Sequence, residues 1–384
     1  MSGSAIGVVA IGRNEGARLR RSLESLRDQA AGASIVYVDS DSTDGSVELA
    51  RSLGVEVVLL DMSKPFTAAR ARNAGFARLM EIDPGVKYVQ FLDGDCEVAE
   101  SWLELAQRTL EERPEVAVVF GRRRERFPEA SIYNRLADVE WSMIGWSDGS
   151  PGGEVVACGG DAVVRVEALR AVGGYNPSIP AGEEPELCQR LRAQGWTVVR
   201  LDAAMTWHDS AMFHFRQWAK RQFRTGYGGR DFSTRFGRPG NDPFIPQLRS
   251  ARVWGLGWPV ALVAGFAVGT LLDGPWAGFA AAAVLLLAPL AQAARIAWRN
   301  RDRAGSLREA ALYGVLSMIG KPYQAAGQLL FLRDYRQGRH ARLIEYKTVS
   351  DGINIPEAKI KEETKPEPEE PEAEETRKEP VGHA

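Results

Sequence analysis

Cysteine is scarce in this 384-residue chain. Cys96, Cys158 and Cys188 are its three thiols, far apart and without a Cys-x-x-Cys. That pattern excludes a disulfide framework and a readable structural zinc site, and reduced, mostly buried thiols are expected. The N-terminal Met1-Ser-Gly-Ser-Ala has neither a positive flank nor an apolar core, so no signal peptide is read and the first half is expected in the cytosol. There is no internal repeat. Low hydrophobicity is also missing: 45% apolar and 26% charged residues exclude a disordered or collagen-like chain. The length suits two or three domains with a full core.

An excess of one charge is lacking overall, but the net −2 is unevenly spread. From Pro356 onward ten Glu stand against five Lys and Arg, whereas Arg249 to Lys347 holds thirteen Lys and Arg against five Asp and Glu. A basic stretch mixed with long apolar runs points to a membrane surface and not to nucleic acid.

Residues 1–240 alternate short apolar strands with helical stretches. Strands are expected at Ile6–Ile11, Ser34–Val38, Val55–Leu60, Tyr88–Leu92 and Thr197–Leu201, and helices at Val47–Leu53 and Phe66–Met80. Such alternation implies a doubly wound, mostly parallel α/β sheet, which binds ligands beyond the carboxyl ends of its strands. Polar clusters stand at those ends: Asn14-Glu15, Asp39 to Asp44, and Asp93 with Asp95. A linker is expected at 241–252. Val253–Leu272 and Gly274–Ala294 are then twenty and twenty-one uncharged residues, joined through Asp273-Gly-Pro. Each can span a core of ~30 Å, so 253–299 reads as a transmembrane hairpin with helices at 253–272 and 275–295. Arg249 and Arg252 on one side, and Arg295, Arg299, Arg301 and Arg303 on the other, put both ends in the cytosol. Leu307–Leu332 is interrupted by Lys321-Pro322, so 300–350 reads as amphipathic helices lying against the membrane, with a third kinked span as the alternative. The acidic tail, 351–384, is expected to be disordered.

Two carboxylates one residue apart at a strand end, Asp93-Gly-Asp95, can hold one hard divalent cation; a strand-capping Asp-Gly turn is the alternative. Arg70 and Arg72 sit among small residues and can pair with a diphosphate or a carboxylate, or be merely solvated. Glu183, Glu184 and Glu186 open a helix where its dipole favours acids, and one of them can serve as a general base. His208 is a packed histidine unless a metal lies near it.

Together these residues resemble the family 2 glycosyltransferases of the GT-A fold, in order over about 230 residues. Ala10-Ile-Gly-Arg-Asn-Glu15 is similar to the family's first loop, near the nucleotide. Val38-Asp-Ser-Asp-Ser-Thr-Asp-Gly-Ser46 resembles its nucleobase-binding signature, Ala71-Arg-Asn-Ala-Gly75 its Ala-Arg-Asn-x-Gly segment, and Phe91-Leu-Asp-Gly-Asp95 its Asp-x-Asp motif. Gly182-Glu-Glu-Pro-Glu-Leu is similar to Gly-Glu-Asp-x-Glu-Leu, Cys158-Gly-Gly-Asp161 to an acceptor-side strand, and Gln222-Phe-Arg-Thr-Gly-Tyr-Gly228 to a segment of membrane-attached members.

The resemblance implies a donor nucleotide site at Asn14, Glu15, Asp39, Arg72 and Asp93. It implies Mg²⁺ or Mn²⁺ on Asp95, with Asp93 and His208, and a base at Glu184 with Glu183 as the fallback. Gly160, Gln222 and Arg224 fall near the acceptor or diphosphate. The implied reaction is inverting transfer from a nucleotide sugar, UDP-linked by family habit, to a lipid-linked or glycan acceptor at the cytosolic face of the inner membrane. Two spans are too few to enclose a polymer channel, which favours single or short additions. A membrane-tethered scaffold with a degenerate domain is the rival reading. A nucleotidyltransferase is disfavoured because its first loop would be richer in glycine.

Overall fold

Ile6 to Ile11 are all buried because their strand lies inside a sheet covered on both faces. The computed structural model describes residues 4–30, 32–143, 152–237 and 242–339; the expected tail at 351–384 lies outside them. Strand β1 (Ile6–Gly12) leads into α1 (Ala17–Gln29), β2 (Ile35–Asp39), α2 (Ser46–Ser52), β3 (Glu56–Leu59), α3 (Ala68–Ile82) and β4 (Tyr88–Asp93). Next come β5 (Cys96–Val98), α4 (Trp102–Glu112), β6 (Val116–Glu125), α5 (Ile132–Ser142) and β7 (Gly153–Glu154). They are followed by β8 (Ala162–Arg165), α6 (Val166–Ala171), α7 (Glu183–Ala193) and β9 (Thr197–His208).

The sheet has the order β3-β2-β1-β4-β8-β6-β9-β5, with β7 beside β9. The first four strands are parallel, β8 enters antiparallel between β4 and β6, and β6 runs parallel to β9. Register decides where the polar strand ends fall: Gly12 pairs with Asp39, and Ile11 with Asp93. Both aspartates therefore reach the same edge. Helix α3 starts on Thr67, whose hydroxyl accepts from the Arg70 amide at 3.1 Å. A Cβ on Gly75 would lie 2.4 Å from Val9, so glycine there lets α3 press onto the sheet and bring Arg72 to its edge. Strand β9 outruns the expected Thr197–Leu201 and ends on His208. Register shifts against β6 bend it and carry the pairing on through Trp207 and His208.

Four further helical segments follow. Helix α8 (Phe215–Arg235) precedes α9 (Ile245–Arg252), which occupies most of the expected linker. A single π-turn (Val253–Gly257) joins α9 to α10 (Trp258–Asn300), and α11 spans Leu307–Arg336. By length and composition Ile245–Asn300 is one candidate membrane segment, with mean hydropathy 1.8 and a mostly exposed surface. Its helical path breaks at Asp273 and Gly274, where Gly274 takes φ +80°. Trp258 donates its indole N–H to the Leu285 carbonyl at 3.1 Å, and the Phe266 and Phe279 rings lie 5.2 Å apart, so the two arms lie side by side.

Helix α11 corrects the expectation of separate helices on either side of Lys321-Pro322, since it is continuous through both residues. Pro322 sits on the exposed face, and the backbone on either side of it packs closely against other helices. A Cβ on Gly226 of α8 would lie 2.0 Å from the Gln324 carbonyl, one on Gly327 2.2 Å from that of Phe223, and one on Gly255 2.5 Å from that of Lys321.

Candidate active site

Arg72 is the centre of the strand-end cluster. It is buried to 2% exposure. One guanidinium nitrogen donates to Glu183 at 2.6 Å and lies 3.0 Å from Glu184, and the other donates to Asp93 at 3.0 Å. Arg123, from the far end of β6, donates to the second Asp93 oxygen at 3.1 Å and to Asp161 at 3.0 Å. Asp161 also accepts from the Asp93 amide at 3.0 Å and from the Thr206 hydroxyl at 2.7 Å. Two guanidiniums thus face four carboxylates: Asp93, Asp161, Glu183 and Glu184. Such a surplus of buried negative charge needs a further cation or a proton.

Glu184 takes up part of that strain. Burial first, then the charge of Glu183, outweighs the pull of Arg72 and pushes its carboxyl up to about 7. It also accepts from the Gly160 amide at 3.2 Å. Gly160 has φ +65°, and a Cβ there would meet the Arg123 guanidinium at 2.0 Å, so glycine is required beside Glu184. Asp93 moves the other way: burial pushes its carboxyl up, but Arg123 and Arg72 together hold it low.

Asp95 lies one residue beyond this cluster. One of its oxygens is 3.3 Å from His208 Nε2 and the other 3.6 Å from Cys96 Sγ. Asp95, Cys96 and His208 each offer a ligand atom within 4.8 Å of the others, as do Asp93, Cys96 and Asp161. Burial pushes the Cys96 thiol well up, so the carboxylates and the imidazole are the donors fit for a divalent cation. Oxygen and nitrogen ligands of that kind suit Mn²⁺ and Mg²⁺.

The first and second loops form one unit. Asn14 accepts the Thr43 amide at 2.7 Å and gives its own amide to Ser42 at 2.8 Å. Asp39 is buried, held by the Tyr37 hydroxyl at 3.1 Å and the Ser42 amide at 2.8 Å. Glu15 pairs with Arg18 at 3.0 Å. Arg70 instead braces the preceding loop through the carbonyls of Asp61, Lys64 and Pro65.

The structure therefore brings Arg72, Asp93, Glu183, Glu184 and Gly160 together, with Asp95 and His208 adjoining. It does not put Gln222 there: its carbonyl accepts from Gln324 at 2.7 Å, in the contact between α8 and α11. Arg224 is half-buried on the same helix. Sequence reading missed Arg123, one of three successive arginines at the end of β6, and the role of Asp161 in holding it. It also missed Trp141, whose ring packs edge-on to His208 at 4.5 Å.

A mostly parallel sheet with acidic strand ends, closed by a helix that opens on glutamates, defines a GT-A glycosyltransferase domain. Residues 8–173 match the family described as Glycosyl transferase family 2, and this part of the chain belongs to that family. The chain is similar to the succinoglycan biosynthesis protein ExoA of Rhizobium meliloti, 28% identical over 196 residues, 49% of this chain and 58% of that protein. It is also similar to the pre-mycofactocin glycosyltransferase of Mycobacterium tuberculosis, 29% identical over 223 residues, 56% of this chain and 44% of that one. The chain spans about half the length of these curated relatives. Among solved structures it resembles the mannosyltransferase PcManGT of Pyrobaculum calidifontis in complex with GDP-Man and Mn²⁺, at 19% identity and a TM-score of 0.51, covering 87% of this chain and 88% of that one.

Proposed function

We propose that the chain is an inverting, divalent-cation-dependent glycosyltransferase that moves a sugar from a nucleoside diphosphate to a membrane-associated acceptor, lipid-linked or polysaccharide, at the cytosolic face of the inner membrane. The observation that carries this reading is Glu184, a buried carboxyl raised to about 7 beside an arginine-carboxylate cluster at the strand ends. A base with that affinity for protons is about half ionised at neutral pH, and can keep the proton it takes from an attacking hydroxyl. Glu183, bound tightly to Arg72, holds the guanidinium in place. Asp39 and Asn14 shape the nucleoside end of the donor site, with Glu15 at its rim.

The donor set of Asp95, Asp93 and His208 fits Mn²⁺ or Mg²⁺, and the charge surplus around it favours such an ion. When bound, the cation would neutralise charge on the leaving diphosphate. Arg72 and Arg123 sit where they add fixed positive charge beside that diphosphate. A nucleotide sugar with Mn²⁺ bound to the archaeal mannosyltransferase of the same fold is a ligand of the class this cluster would take. The two arms of α10 have exposed apolar faces, including Leu271 and Trp276, and would cross the membrane as a hairpin, with the arginines at both ends on the cytosolic side.

The test is binding of UDP, GDP and dTDP to the detergent-solubilised chain, with and without Mn²⁺. One nucleotide should bind tightly, and removing the metal or substituting Asp95→Ala should abolish that binding. Absence of binding under all conditions would overturn the transferase reading in favour of a scaffold.

A further inference from the structure

The register shifts that bend β9 against β6 set Glu125 directly opposite His208, and residues paired in this way project from the same face of the sheet. Glu125 Oε2 lies 3.9 Å from His208 Nδ1, and Asp95 Oδ2 lies 3.3 Å from Nε2. The imidazole therefore stands between two carboxylates, with the Trp141 ring edge-on to it at 4.5 Å. Glu125 is 1% exposed. The arginines on either side of it turn elsewhere, Arg124 to Asp138 at 2.8 Å and Arg126 to Glu97 at 3.7 Å. Its own hydrogen bonds come from neutral donors. Oε1 accepts from the Phe127 amide at 3.2 Å and the Asn134 side chain at 3.3 Å, and Oε2 from the Ser210 amide at 3.2 Å. Asn134 is held in that sense because its carbonyl accepts the Met212 amide at 3.0 Å. Both oxygens of Glu125 are thus fixed as acceptors.

An acceptor beside Nδ1 calls for a proton there. A neutral imidazole has one N–H and one lone pair, so a proton kept on Nδ1 leaves the lone pair on Nε2. That lone pair then faces the Asp95 carboxylate across 3.3 Å, two electron donors whose approach is favourable around a cation. The separation of Glu125 from Nδ1 is longer than a hydrogen bond but within ion-pair reach, so the carboxylate acts through its charge. Burial of His208 and Asp95 makes that charge count, because little water is present to screen it. Metal-ligating histidines are commonly oriented by a carboxylate on the ring nitrogen that does not bind the metal. We propose that Glu125 is a positioning residue: it holds the proton of His208 on Nδ1 and so keeps Nε2 open to a divalent cation beside Asp95. This deepens the transferase reading and rests on it for the role of the cation. The placement of the imidazole proton stands or falls separately.

The experiment follows the full chain, labelled at histidine with heavy nitrogen, by NMR in neutral detergent at mildly alkaline pH. The chain has four histidines, and the His208 signal is the one absent from His208→Ala. Without metal, Nδ1 of His208 should carry a proton in the wild type, and Glu125→Gln should move that proton to Nε2. Mn²⁺ affinity, read from the paramagnetic resonance of the free ion, should weaken about 10- to 100-fold in Glu125→Gln. Glu125→Asp keeps the charge and should retain most of the affinity. In the His208→Ala background Glu125→Gln should change Mn²⁺ affinity little, because the two residues act as one unit. Near-ultraviolet circular dichroism matching the wild type would show that the variants are folded. An unprotonated Nδ1 in the wild type would overturn the proposal, as would equal Mn²⁺ affinity in wild type and Glu125→Gln. So would an undiminished loss in the His208→Ala background, the mark of a role in folding alone. If Mn²⁺ does not bind the wild type while the Nδ1 proton still depends on Glu125, the metal-dependent transferase reading fails and the positioning role remains.

Discussion

Glu184 is asked to ionise where burial and a neighbouring glutamate resist it. Its carboxyl is raised from 4.5 to about 7, so the folded chain holds a proton there that the unfolded chain releases. The contribution to stability is therefore fully present below about pH 4.5 and is lost as pH rises through about 7. The proposed base role has the opposite demand, because only the ionised form accepts a proton. Turnover should fall tenfold per pH unit below about pH 7, measured as kcat/KM against pH. Glu184→Gln should lose about 10²–10⁴-fold in kcat, bind nucleotide normally, and melt higher than wild type at pH 8. Loss of nucleotide affinity in that variant would remove Glu184 from the base role. Arg72 presents the converse case, a buried cation serving three carboxylates. Arg72→Met should destabilise the chain by about 3–5 kcal/mol, read as a shift in denaturation midpoint. Arg72→Lys should not restore stability, because an ammonium cannot fork to Asp93 and the two glutamates at once.

Elements differ in how far they could be read from the chain. The first four parallel strands were legible because each is a buried apolar run ending in a polar cluster, and Asp39 and Asp93 came with them. Arg123 was not, because three consecutive arginines leave open which one points along the sheet edge toward Asp161; the bends between β6 and β9 decide that. Lys321-Pro322 read as a break because proline lacks a donor. Tertiary packing won: the carbonyls beside it press against Gly226 and Gly255. Gln222 was assigned to the reaction site by resemblance, and its amide partner on α11 could not be inferred from local pattern. The contact between α8 and α11 makes its own prediction. Gly226→Val has no room beside the Gln324 carbonyl, so it should cost at least about 1–3 kcal/mol. Limited proteolysis should then cut α11 faster, while a valine at the exposed Ala326 should change little.

At the scale of the whole molecule, one helix serves two neighbourhoods. Helix α8 touches Ala181 and Gly182, just ahead of Glu184, through Gly228 and Phe232, and touches α11 through Gly226 and Gln222. Glycine-tight contacts of this kind leave no slack for the helices to slide. If the hairpin arms cross a bilayer, their tilt is set by how well their apolar length fits the acyl layer around them. That tilt would then be felt at the loop carrying Glu184. Acyl-chain length becomes a control on chemistry: in vesicles of graded thickness, kcat should pass through a maximum while nucleotide affinity stays level. A flat profile would mean that the anchor only tethers the enzyme. A peaked one would make lipid composition itself an input to the rate of sugar transfer.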